Sequence, residues 1–156
     1  MRAVLSTGSN MEDSRAHLAA AEEEFAADLV AASRVYRTAP WGGVEQADFY
    51  NQILIVDVDE SPHELLARCQ RLEQEAHRVR EVRWGPRTLD VDIVALYGND
   101  GEEITVDTPD LTVPHPRAHE RAFVLVPWLE VDGGARLGEQ DVNKLVAELN
   151  DEVTPL

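Results

Sequence analysis

Two extended segments in the middle of this chain, residues 29–38 and 49–58, follow one another with no helix-forming stretch between them. Successive strands of a doubly wound parallel sheet need a crossover of roughly a dozen or more residues, normally a helix. The pair therefore argues for antiparallel neighbours and an α+β fold. The flanking segments agree. Residues 3–8 read as a strand ending in the turn-like Gly8-Ser9-Asn10, and the Ala- and Glu-rich run from Ser14 to Ala27 carries Leu18, Ala21 and Phe25 at helical spacing.

The run from Phe49 to Val58 alternates Ile53, Ile55 and Asp57 against Leu54, Val56 and Val58, the clearest strand pattern in the chain. Ser61-Pro62-His63-Glu64 then supplies a capping box with proline at the first helical position, opening a helix to about His77. Leu89 to Tyr97 gives a further strand, stopped by Gly98-Asn99-Asp100-Gly101. Strand, helix, strand, strand, helix, strand is the βαββαβ order of a ferredoxin-like sandwich, with both helices expected on one face of an antiparallel sheet. The remainder predicts C-terminal additions: a short strand near Ile104 to Val106, a Pro-rich turn at Val113-Pro114-His115-Pro116, a helix over about Glu120 to Leu129 and a capped helix from about Asp141. At 156 residues and 44% hydrophobic, a single domain over 1–156 is expected.

Charge narrows the function. Acidic residues outnumber basic ones 30 to 14, Lys144 is the only lysine, and the formal net charge is -16. Nucleic-acid binding needs a broad basic surface, so it is not expected. The lone Cys69 excludes an internal disulfide and falls on the apolar helical stripe Leu65, Leu66, Cys69 and Leu72, which places it in the core. No apolar run approaches the roughly 20 residues that span a bilayer. A cytoplasmic protein without membrane partners is the expectation, with a monomer as the oligomeric state.

Against that acidic background the stretch Arg78 to Asp92 reverses sign. Four arginines (Arg78, Arg80, Arg83, Arg87) precede two aspartates (Asp90, Asp92), with Trp84-Gly85-Pro86 breaking regular structure between them. Guanidinium forks match phosphate oxygens, and carboxylates are hard oxygen ligands suited to Mg2+. Strand alternation puts Asp90 and Asp92 on one side about 6.6 Å apart, with Leu89, Val91 and Ile93 on the other, apolar side. Together these residues point to a polyphosphate gripped by arginines and bridged by metal, held under a segment that closes over it. An RNA-binding or regulatory module would share the topology but leaves this segment unexplained. A nucleotidyltransferase also uses Gly-Ser with Asp-x-Asp, but close together in sequence, whereas Gly8-Ser9 lies some 80 residues from Asp90.

Arg83-Trp84-Gly85-Pro86-Arg87-Thr88-Leu89-Asp90-Val91-Asp92-Ile93 closely resembles the signature of the 6-hydroxymethyl-7,8-dihydropterin pyrophosphokinase family. Further matches run through residues 1–130: Gly8-Ser9-Asn10, Tyr36-Arg37-Thr38 with Pro40, Asp48-Phe49-Tyr50-Asn51, Glu73, Val113-Pro114-His115-Pro116-Arg117 and Arg121-Ala122-Phe123-Val124-Leu125. The resemblance implies a folate-pathway enzyme that moves the pyrophosphoryl unit of ATP to the hydroxymethyl oxygen of the pterin and releases AMP. It implies that Asp90 and Asp92 hold two Mg2+ ions and that Arg78 and Arg87 act in catalysis with them. ATP contacts fall to Glu73, Arg78, Arg80, Arg83, Arg87, Ile93, His115 and Arg121. The pterin pocket comprises Gly8, Thr38, Ala39, Trp41, Phe49, Asn51, Trp84 and Phe123, with Phe49 and Phe123 stacking on the bicycle and Asn51 reading its amide edge. Ala39 and Trp41 depart from the family's frequent proline and leucine, and Glu81 stands where a lysine can occur.

Overall fold

The computed structural model describes residues 1–10, 13–38, 48–78, 89–149, 151 and 153–156. Strand β1 (Arg2–Ser9) is central and buried on both faces, apolar at Ala3, Val4 and Leu5; it pairs antiparallel with β4 (Phe49–Asp57) on one side and β5 (Asp90–Tyr97) on the other. Beyond β4 lie β2 (Leu29–Ala32) and β3 (Tyr36–Thr38), so the expected single strand over 29–38 is broken in two. The break has a cause: Ser33 Oγ donates to the Arg34 carbonyl and accepts the Ile53 N–H, and these bonds replace regular pairing.

Helices α1 (Ser14–Glu24) and α2 (Pro62–Arg78) cover one face of this sheet, burying Leu18, Phe25, Leu65, Cys69 and Leu72 on Leu5, Leu54, Val56, Val91 and Ile93. α1 stops short of Ala27, and a 3-10 turn at Ala26–Asp28 turns the chain into β2. α2 starts as its capping box requires: the Ser61 N–H donates to Glu64 Oε1 at 3.0 Å and the Glu64 N–H to Ser61 Oγ at 3.2 Å.

The opposite face is also buried. α3 (Ala122–Val131) and α4 (Val142–Glu148) set Val124, Leu125, Trp128, Val142 and Leu145 on Val4, Ile53, Ile55, Val94 and Ala95. The expectation that β5 has one core face is therefore corrected, since fully buried residues such as Leu125 each stabilise by about 1.5–3 kcal/mol on that second face. Both α1 and α2 do share a face, and the fold is ferredoxin-like with a third layer added. The short strands β6 (Glu103–Ile104), β7 (Val106–Thr108) and β8 (Leu111–Val113) follow β5, β6 on its edge and β7 with β8 as a separate hairpin. A second hairpin with two-residue strands, β9 (Arg136–Leu137) with β10 (Gln140–Asp141), leads into α4, and β11 (Thr154–Pro155) pairs with β3 at the sheet edge.

One irregularity positions the site. Leu5 opposes Ile93 while Val4 opposes Ala95, which leaves Val94 as an extra residue on β5. After this bulge Val94 and Ala95 both belong to the α3–α4 layer, and the Val94 carbonyl accepts the N–H of His115 at 2.9 Å. The Pro-rich turn is thus fixed beside the aspartate end of β5.

Candidate active site

The α3–α4 layer ends at Arg121 and Phe123, short of the end of the sheet. The sheet face that continues past it carries Ser6 and Gly8 from β1, Phe49 and Asn51 from β4, and Asp90 and Asp92 from β5. With Ser9, Asn10, Arg121 and Phe123 these residues line a cavity of about 480 Å³. Cross-strand register orders the floor: Gly8 lies opposite Asn51 on one side and Asp90 on the other, and Ser6 lies opposite Ile53 and Asp92. Neighbouring strands are about 4.8 Å apart, so Asn51 and the aspartates stand roughly 10 Å apart across the row. A Cβ at Gly8 would sit 2.7 Å from Asn51 Oδ1, so any larger residue there would force the amide to shift.

Asn51 is 5% exposed, and its Nδ2 has no hydrogen-bond partner among the described residues. A buried amide with unused donors is uncommon and marks a place where a polar ligand completes the bonding. Phe49 is 37% exposed, one of the few large apolar side chains left open among the described residues, and it lies on the same cavity wall as Asn51 two residues away. Phe123 enters from α3, with the Arg121 guanidinium 5.6 Å from its ring centroid.

Asp90 and Asp92 are half-buried on the cavity side while Val91 and Ile93 turn into the α1–α2 core. Ile93, expected to touch ATP, has its side chain on the face away from the aspartates, which leaves its backbone for such a contact. Glu73 Oε2 accepts the Val91 N–H at 3.1 Å, so α2 fixes the edge of β5 between the two carboxylates. His115 has a pKa held below the ordinary histidine value: burial is the main cause, Asp92 opposes it, and Arg121 and Arg117 add to it. Thr38 ends β3 directly opposite Phe49. Ala39, Trp41, Arg80, Arg83, Trp84 and Arg87 lie outside the described residues, as does the side chain of Arg78, which closes α2.

No group of three or more His, Cys, Asp or Glu residues among the described residues forms a metal cage. Two carboxylates on one cavity wall fit a hard divalent ion that takes its remaining oxygens from phosphate and water, the habit of Mg2+. Ser6, Ser9 and Asn10 line the cavity, although of that segment only Gly8 was assigned to the site from the sequence and Ser9 and Asn10 counted only as matches to the family pattern. The signal for Ser6 was its period-two relation to Gly8. A larger groove of about 840 Å³ lies at the far end of the sheet, around Met1, Arg2, Asp57 and Tyr97, but Arg2 and Asp57 are already paired at 2.9 Å, and no unpartnered buried side chain lines it among the described residues.

Residues 4–133 match the family model for 7,8-dihydro-6-hydroxymethylpterin-pyrophosphokinase (HPPK). The chain belongs to the HPPK family. Curated relatives include the 2-amino-4-hydroxy-6-hydroxymethyldihydropteridine pyrophosphokinases of Mycobacterium tuberculosis, 46% identical over 95% of this chain and 84% of that protein, and of Mycobacterium leprae, 48% identical over 95% and 83%. The Bacillus subtilis enzyme of the same name is 39% identical over 83% of this chain and 77% of its own. Among solved structures, Plasmodium falciparum HPPK-DHPS superposes with a TM-score of 0.66 at 12% identity, over 94% of this chain and 45% of that one. That likeness shows the fold of the HPPK family and nothing of the remainder of the longer protein. Among the described residues no helix is long and apolar enough to cross a membrane.

Proposed function

We propose that the cavity binds a pterin against Phe49, Phe123 and Asn51 and the ATP triphosphate against Asp90, Asp92 and Arg121, with the two substrates meeting above Gly8. Family membership makes the chain a pyrophosphokinase of folate biosynthesis, acting on 6-hydroxymethyl-7,8-dihydropterin with ATP as co-substrate. The hydroxymethyl oxygen attacks the β-phosphorus of ATP, the bond from that phosphorus to the α–β bridging oxygen breaks, the hydroxyl proton is lost, and AMP leaves.

The observation that carries the assignment is the unpartnered, buried Asn51 amide one strand away from Gly8 and two strands away from Asp90. Asn51 offers donors to the flat edge of the ring, and the aromatic faces of Phe49 and Phe123 add about 0.5–1.5 kcal/mol per stacked pair. Thr38, Ala39, Trp41 and Trp84 complete that pocket in this reading. Asp90 and Asp92 would hold two Mg2+ ions, which would neutralise phosphate charge and lower the cost of ionising the attacking hydroxyl. Arg121 and His115 face the same end, and Arg78, Arg80, Arg83 and Arg87 supply the cationic cage around the transferring group, with Glu73 and Ile93 bordering the ATP site. Such alignment with charge neutralisation is most of what phosphoryl chemistry asks of a protein. The chain acts as one domain over 1–156, as a cytoplasmic monomer, with no nucleic-acid or membrane partner.

Incubation with ATP, Mg2+ and the hydroxymethyl pterin tests this reading by nucleotide products. AMP formed in step with the pterin diphosphate is the expected result. Release of pyrophosphate, the product of nucleotidyl transfer, would overturn it.

A further inference from the structure

Glu130 sits near the C-terminal end of α3, seven residues from Phe123, about two helical turns away on the same side of the helix. Its carboxylate reaches across to the strand that ends in Thr38. Glu130 Oε2 accepts the Arg34 backbone N–H at 2.9 Å, Oε1 accepts Arg34 Nε at 2.9 Å, and Oε1 also accepts a short hydrogen bond from the Tyr36 hydroxyl. The Arg34 guanidinium lies 5.8 Å from the Tyr36 ring centroid, and Tyr36 is 4% exposed. Among the described residues this cluster is the only hydrogen-bonded link between α3 and β3.

Each element that the cluster joins carries a wall of the cavity or its border. Tyr36 is opposite Asn51 and Thr38 is opposite Phe49 in the β3–β4 register, while Phe123 stands on the first turn of α3. We infer that Glu130 is a positioning residue for the pterin pocket, a clamp that sets the separation of the Phe123 wall from the Asn51–Phe49 wall without touching substrate. The carboxylate is built to stay charged in that role. Burial alone pushes the Glu130 pKa up, but the bonds from Tyr36 and Arg34 outweigh it and hold the group below the ordinary glutamate value. Charge-assisted bonds to a half-buried carboxylate are the stronger kind, and an error of about 1 Å in a binding pocket is enough to weaken substrate selectively.

The inference rests on the pterin pocket proposed above, and the experiment separates the two. Glu130→Gln keeps shape but cannot accept from both Arg34 groups, and Tyr36→Phe removes only the hydroxyl. Steady-state kinetics of both variants, with Phe123→Ala as the pocket control, give KM for the pterin and for ATP separately. Glu130→Gln and Tyr36→Phe are expected to raise the pterin KM about tenfold, with the ATP KM within about twofold, and their combination to raise it little more than either alone because they break one link. Equal changes in both KM values, or none, with Phe123→Ala still impairing the pterin, would overturn the clamp and leave the pocket standing. An unchanged pterin KM in Phe123→Ala would instead overturn the pocket itself. If Glu130→Gln fails to fold, the Tyr36→Phe split decides alone.

Discussion

Arg121 Nη1 stands 3.9 Å from Asp92 Oδ2, so a carboxylate proposed as a metal ligand already has a cationic neighbour. Both side chains are partly exposed, and such a pair is worth only about 0.2–1 kcal/mol. It competes with a free metal ion for Asp92, yet once ATP is present the same guanidinium has phosphate oxygens to bind. Arg121→Ala should therefore bind Mn2+ without nucleotide a few-fold more tightly while losing turnover on the order of 10²-fold. Calorimetric titration with Mn2+ beside a kcat measurement checks both signs, and loss in both would mean that Arg121 supports the site only structurally.

Gly8 separates Asn51 from Asp90 in the cross-strand row. A methyl group there meets Asn51 Oδ1 at 2.7 Å, and the amide must move. Gly8→Ala is expected to raise the pterin KM about tenfold or more with a small change in melting temperature, since the strain falls on one side chain rather than on the backbone. A wild-type pterin KM in that variant would show that the Asn51 position is not critical.

Burial pushes the Cys69 thiol up to about 12, with the Glu73 charge adding to it. Almost no thiolate exists at pH 8. The native protein should resist a thiol-specific reagent there and react in one step after unfolding in guanidinium, a contrast read directly from absorbance.

Glu130 makes a pH prediction with a definite sign. Its folded pKa is depressed, so its contribution to stability is complete above the unfolded value of about 4.3 and is lost as pH falls through the lower folded value. The stability gap between wild type and Glu130→Gln should be widest near neutral pH and close in acid. Urea melts at pH 7 and at successively lower pH measure the gap, and a gap that grows toward acid would contradict the hydrogen-bonded carboxylate.

Much of the sheet was legible because β4 and β5 are runs rich in β-branched and aromatic residues bounded by turn signals, and α2 announces its start with Ser61 and Glu64. The bulge was not, because Ile93-Val94-Ala95-Leu96 is apolar throughout and hides a change of phase. For the same reason the second buried face went unread: residues apolar on both sides of a strand show no period. α3 begins at Ala122 rather than near Glu120 because Ala118–Glu120 forms a 3-10 turn, and the two-residue strands β9, β10 and β11 are too short for any pattern. Asp90 and Asp92 stood out through their chemistry and Phe49, Asn51 and Phe123 through the family resemblance, and the structure brings all five to one cavity. Glu130 could not stand out, since its partners lie 94 and 96 residues away and nothing in its local sequence distinguishes it from a solvated acid.

The pairing of Asp90 and Asp92 on one cavity wall is tested most directly by anomalous diffraction from crystals grown with Mn2+, a non-transferable ATP analogue and the pterin. Two manganese peaks are expected, both within about 2.3 Å of carboxylate oxygens from Asp90 or Asp92 and both touching the triphosphate. Peaks on the phosphates alone, with the two aspartates turned away, would contradict it.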